Sequence, residues 1–306
     1  MNKPFNDTLK EIFVDLSMTS EPIVLHIDGH QLAALCLNPD EAGEPVILLH
    51  GITSSIYAWP LQPPCVLVQG PCYSLSLPGH FPATFPADLP PEALTAEMIA
   101  RLLSTAIREL VGDRPVTLIG HSTGGFAALA AAAYAPALAR RVVSVSGFAQ
   151  GHWTGALGLY QKLVRSGAPG RTVYKAIYKL AGLSPALLQA AMRIYVADAR
   201  AFYAYPDLPD MMRNAYPAFK QLDLEAMIYY FGRMPEIDIS DWLPRITATT
   251  LALTGDRDPI VPPTQAQQIA GLVKGAELAV IAGAGHLPFA ERASEYNSVL
   301  SRWLAR

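Results

Sequence analysis

A mostly parallel α/β sheet flanked by helices, with a helical segment inserted late in the chain, is the fold class that this 306-residue sequence predicts. Two observations carry it. From residue 46 onward, short β-rich apolar runs alternate with amphipathic stretches, the pattern of a parallel sheet whose crossovers are helices. Between about 149 and 242 that alternation stops, gives way to helical periodicity, and then resumes.

The elements follow in order. "PIVLHIDGHQLAALCLNP" (22–39) reads as a hairpin turning at Asp28 and Gly29, which makes its strands the antiparallel start of a mixed sheet. "PVILLHG" (45–51) is the first strand of the alternating block. "CYSLSLPGH" (72–80) is the second, and a loop carrying Pro78, Pro82, Pro86, Pro90 and Pro91 follows it. Apolar residues at helical spacing over 94–110 predict a helix, 115–120 a strand, 124–135 a helix stopped by Pro136, and 141–147 another strand. After the insertion come a strand at 247–255, a helix at 263–273, a strand at 276–283 and a last helix through 291–305. The expected division is a core of 1–148 and 243–306, with 149–242 as a helical cap.

Composition bounds the function. Half the residues are apolar, and the net charge of −3 without basic runs leaves no electrostatic footprint for nucleic acid. The mean hydropathy of +0.23 calls for a search for a membrane span. The most apolar stretch, 126–135, is far short of the roughly 20 residues a spanning helix needs. "MNKPFNDTLKEIF" (1–13) places charges where a signal peptide would be apolar. Cys36, Cys65 and Cys72 are odd in number and lack metal-ligand spacing. The expectation is a cytoplasmic protein with reduced thiols.

Gly120-His121-Ser122-Thr123-Gly124 fits G-x-S-x-G at a strand-to-helix junction. A Cβ at Gly120 or Gly124 would crowd a neighbouring strand or helix, and the helix that follows directs its first amides toward charge developing at the serine. A serine hydroxyl needs a base, and the base needs an orienting partner. "GAGHLPF" puts His286 just after the last strand, and "LTGDRDPIVP" puts Asp256 and Asp258 just after the strand before it.

With these residues on hand, together with His50-Gly51 and Leu77-Pro78-Gly79-His80, the chain resembles the α/β-hydrolase fold family over nearly its whole length outside the insertion. The resemblance implies a triad of Ser122, Asp258 and His286; the G-x-x-D spacing from Gly255 favours Asp258 over Asp256. It implies an oxyanion hole from the backbone N–H groups of Ile52 and Thr123, and no metal or organic cofactor. One departure is Ser76, where family members often carry Asp.

Candidate pocket residues are His50, Trp59, His121, His152, Tyr160 and Leu287; against this, His50 and His121 more commonly orient loops or fill turns, His152 more commonly stands exposed on the cap, and Trp59 more commonly packs in the core. Nine of the 13 tyrosines fall in the insertion, which makes an aromatic cavity or an aromatic cap core. Residues 149–197 hold six cations and no Asp or Glu. Among them Arg171, Lys175 and Lys179 share a helix face at i, i+4 and i+8, either solvated or a docking strip for an anionic acyl carrier. The expected function is hydrolysis of a carboxylic ester or lactone on an apolar acyl substrate. A thioesterase or acyl transferase, and a non-catalytic ligand-binding protein, are the rival expectations.

Overall fold

The computed structural model describes residues 21–59, 64–67 and 69–306. The charged segment 1–13, read above against a signal peptide, lies outside the described residues.

Eight strands form one sheet, in the order β1-β2-β4-β3-β5-β6-β7-β8. They are β1 (Ile23–Ile27), β2 (His30–Cys36), β3 (Val46–Leu49), β4 (Cys72–Leu75), β5 (Val116–His121), β6 (Ala139–Val145), β7 (Thr249–Gly255) and β8 (Glu277–Ile281). β1 pairs antiparallel with β2, and β2 with β4; every later pairing is parallel. The hairpin turns where expected, because Asp28 and Gly29 both take left-handed φ (49° and 79°) and so match the twist of the flanking strands. Ser76 extends this side of the sheet: its Oγ accepts from the Ala33 N–H at 2.9 Å and its N–H donates to Ala33 O at 2.8 Å. A hydrophobic run such as β3, buried at all four positions, is what a central parallel strand with both faces covered requires.

Helices cover both faces. α1 (Ala96–Val111) starts at Thr95, whose hydroxyl caps the Met98 N–H, and buries Ile99, Leu102, Leu103, Ala106 and Ile107. α2 (Thr123–Tyr134) is buried at every residue but its last, so its run of alanines is the means by which a helix packs close against β5, β6 and α1 at once. β6 begins two residues before the expected 141 and ends at Val145, because Ser146 turns away with φ 47°.

Between β6 and β7 lie α3 (Gly155–Arg165), α4 (Ala168–Ala181), α5 (Pro185–Ala191), α6 (Ala199–Tyr203), α7 (Leu208–Lys220) and α8 (Leu224–Arg233). Aromatic rings bind this stretch to the sheet layer: Phe126 stacks on Phe148, Phe148 meets Trp153 edge-on, and Trp153 meets Phe231. Tyr174, Tyr178, Tyr230 and Phe231 belong to the same buried cluster as the core of α1 and α2.

After β7 come α9 (Thr264–Leu272), β8, α10 (Pro288–Glu291) and α11 (Ala293–Leu304). The last helix expected over 291–305 is α11, and the short α10 before it ends where Arg292 leaves helical geometry (φ −140°, ψ 53°). Among the described residues no helix is long and apolar enough to cross a membrane.

Candidate active site

Ser122 stands between β5 and α2 with φ 55° and ψ −120°, a strained conformation that residues with a side chain rarely adopt. Its neighbours make the bend possible. A Cβ on Gly120 would lie 2.1 Å from Gly124 O, and one on Gly124 would lie 2.0 Å from Leu49 O. Both contacts are with backbone, which cannot swing aside as a side chain can.

The structure brings Ser122, His286 and Asp258 together from the ends of β5, β8 and β7. His286 Nε2 is 2.9 Å from Ser122 Oγ, and His286 Nδ1 is 2.7 Å from Asp258 Oδ2. An ionised carboxylate only accepts, so Nδ1–H donates to Asp258 and Nε2 is left to accept from the serine hydroxyl. The other oxygen of Asp258 accepts from the Ile260 and Val261 N–H groups at 2.8 and 2.9 Å, which fixes the carboxylate in its plane. Asp256 is exposed and takes the Gly283 N–H instead, so it does not compete for His286.

Ile52 and Thr123, whose amides are the expected oxyanion donors, are both buried beside Ser122. Thr123 is the first residue of α2, so its N–H has no acceptor within the helix and lies at the positive end of the helix dipole. Ile52 lies in the loop after β3. That loop sits hard against the serine, since a Cβ on Gly51 would come within 3.3 Å of Ser122 Cβ. His50 anchors it. Its Nδ1–H donates to Gly51 O at 2.9 Å, which leaves Nε2 to accept from the Leu77 N–H at 3.1 Å. Both nitrogens are used by the neutral ring, and burial lowers the His50 pKa to about 4. His121, lowered to about 3 chiefly by burial and then by nearby His286, donates Nε2–H to the carbonyl of His286 at 2.9 Å.

A cavity of about 180 Å³ opens over Ser122. His50, Trp59, His121, Tyr160 and Leu287 line it. His152 does not. Trp153 is buried in the core, and His152 beside it is exposed to solvent. Much of the wall lies outside the expected set: Tyr178 from α4, Met192, Ile194 and Tyr195 after α5, and Phe219 from α7. Burial raises the phenols of both Tyr178 and Tyr195, the latter to about 12. Among the described residues lining the cavity there is no Asp, Glu, Lys or Arg.

The cationic strip on α4 is less exposed as charge than its spacing suggests. Lys175 is paired with Glu225 of α8, and the Arg171 Nε donates to Val164 O at 3.4 Å. None of Arg171, Lys175 and Lys179 lines the cavity. The acid that answers Lys175 comes from 50 residues further on, which is why the acid-free segment 149–197 gave no sign of it.

A serine held in a strained bend, an imidazole and a carboxylate in hydrogen-bond sequence, and a sheet that delivers all three at strand ends define a nucleophile-elbow fold. Residues 44–293 match the model of the alpha/beta hydrolase fold, and the chain belongs to that family. It is similar to the pimeloyl-[acyl-carrier protein] methyl ester esterase of Neisseria meningitidis, with 26% identity over 256 residues, 84% of this chain and 91% of that one. Among solved structures, the enol-lactonase from Burkholderia xenovorans superposes with a TM-score of 0.71 at 17% identity, covering 93% of this chain and 100% of that one. A thermophilic esterase from Thermogutta terrifontis gives 0.68 at 19% identity, with coverage of 94% and 98%.

Proposed function

We propose that this α/β hydrolase cleaves an uncharged carboxylic ester or lactone through an acyl-enzyme on Ser122. The observation that carries the proposal is the continuous contact Ser122–His286–Asp258 at the floor of a cavity without charged side chains. His286 Nε2 takes the hydroxyl proton as Oγ attacks the substrate carbonyl carbon. Asp258 holds the imidazole tautomer and stabilises the imidazolium. The oxyanion rests on the Ile52 and Thr123 amides; losing one donor of this kind typically costs about 10²–10³ in rate. The C–O bond to the alcohol then breaks, with His286 returning the proton to the leaving oxygen. Water, deprotonated by His286, repeats the attack and frees the acid from Ser122.

The apolar wall favours a hydrocarbon acyl or alkyl group. An ester carried on an acyl-carrier protein, as the name of the Neisseria relative describes, would leave the carrier outside the cavity and is compatible with this wall. A thioester bound through the α4 strip has less support, because Glu225 already neutralises Lys175. A purely ligand-binding role has little support from an Oγ···Nε2 contact already at transfer distance.

The test is Ser122→Ala against a panel of p-nitrophenyl esters, with a fluorophosphonate probe in parallel. Turnover falls by about 10⁴-fold or more, and the probe labels the wild type alone. Full activity in S122A would refute the proposal; labelling without turnover of any ester would favour the ligand-binding role.

A further inference from the structure

Glu291, at the end of α10, is a buried carboxylate, 4% exposed, that none of the steps above uses. A charge in such a place is costly unless its lone pairs are met. Four backbone N–H groups meet them. Oε1 accepts from Gly285 at 2.9 Å and Leu287 at 3.3 Å; Oε2 accepts from Ala197 and Asp198, both at 2.8 Å.

The donors come from two segments far apart in the chain. Gly285 and Leu287 bracket His286. Ala197 and Asp198 follow Tyr195, a residue of the cavity wall. The two segments also touch directly, with the His286 N–H donating to Tyr195 O at 2.8 Å. Gly285 allows this approach, since a Cβ there would lie 2.5 Å from Ala197 N and 2.9 Å from Glu291 Oε1. Nearer the surface, Arg292 Nη2 pairs with Asp198 Oδ2 at 3.0 Å across the same junction.

We infer that Glu291 is a positioning residue whose negative charge ties the His286 loop to the 195–198 segment, so that one buried anion sets both the imidazole and the adjoining cavity wall. The inference rests on the proposed role of His286. The charge matters because the four donors leave room only for acceptors: an amide at 291 accepts with one atom and turns its own N–H₂ toward two opposing N–H groups. Burial raises the Glu291 pKa, and the four N–H groups oppose that shift.

The experiment compares wild type, Glu291→Gln and Glu291→Asp on a p-nitrophenyl ester, with kcat counted per fluorophosphonate-labelled Ser122 so that misfolded protein drops out. In parallel, proton NMR follows the downfield Nδ1–H resonance of His286, which needs no turnover. E291Q loses kcat by about 10²-fold, the scale of an ångström of misplacement, and shifts or loses the resonance. E291D, which keeps the charge on a side chain one methylene shorter and so reaches the two segments less well, recovers about tenfold over E291Q and stays at least threefold below wild type. A kcat per labelled site within threefold of wild type together with an unmoved resonance overturns the inference, whatever the change in Tm. If E291Q does not fold, E291D decides: an unmoved resonance and unchanged kcat sink the idea, and a kcat lowered with a shifted resonance supports it. If wild type turns over no ester, the proposed function fails, while the resonance still decides what Glu291 does.

Discussion

Gly124→Ala puts one methyl group between α2 and β3, and the structure gives the size of the effect. The new Cβ would lie 2.0 Å from Leu49 O, 2.5 Å from Leu49 C and 2.6 Å from His50 O. Carbon atoms of this kind do not come within 3.0 Å, so the helix and strand must part by about 1 Å. Ser122 and Thr123 ride on the moving helix; Ile52 follows the strand that stays. Misplacement by about 1 Å costs on the order of 10²-fold in rate, and overpacking costs roughly 1–3 kcal/mol of stability. The assay is kcat/KM on a p-nitrophenyl ester, normalised to labelled Ser122, beside urea unfolding. Gly271→Ala is the control: it lies in α9 with nothing within 4 Å of the added Cβ, and should gain about 0.5–1 kcal/mol without loss of rate. If G124A kept kcat/KM within threefold of wild type, the nucleophile's position would not depend on that close packing, and the account of the elbow would be wrong.

Three further outcomes follow from the same geometry. Asp258→Asn removes the acceptor for His286 Nδ1–H and should lower kcat by about 10⁴-fold, whereas Asp256→Asn should leave it within threefold; equal effects in steady-state assays would reverse the assignment. His50, neutral when folded with a pKa near 4 against about 6.5 unfolded, contributes stability that is complete above pH 6.5 and is lost as pH falls toward 4. Urea titrations should therefore show about 2 kcal/mol lost between pH 7 and pH 5 from this residue, with buried His80 and His121 acting in the same direction, and a flat profile would contradict it. Neutralising Lys175 and Lys179 to Ala should leave KM for an acyl-CoA within twofold at low salt; a tenfold rise would restore the carrier-docking role of α4.

The strand order along the chain was legible because buried parallel strands are short apolar runs and the crossovers have a different period. The same holds for the proposed triad: Ser122, Asp258 and His286 each sit within a few residues of a strand end, where the sheet gathers them. The cavity wall was not legible in this way. Tyr178 comes from α4, Met192 and Tyr195 from the turn after α5, and Phe219 from α7, and the packing of these pieces, not their sequence spacing, turns them toward Ser122. For His152 the sequence left pocket and solvent both open, and the structure exposes it beside buried Trp153. Glu291 carries no mark in sequence that separates it from a solvated glutamate near a helix end. Its significance lies in backbone donors 93 and 94 residues away.

The uncharged wall has a consequence for the end of each catalytic cycle. In the proposed reaction a neutral ester enters an environment suited to it, but hydrolysis leaves a carboxylate in a largely apolar cavity, with no Lys or Arg lining it among the described residues. Such an anion is poorly solvated there and returns readily to water. Turnover thus converts a ligand that the cavity retains into one that it expels, and the free acid should compete only weakly with its own ester.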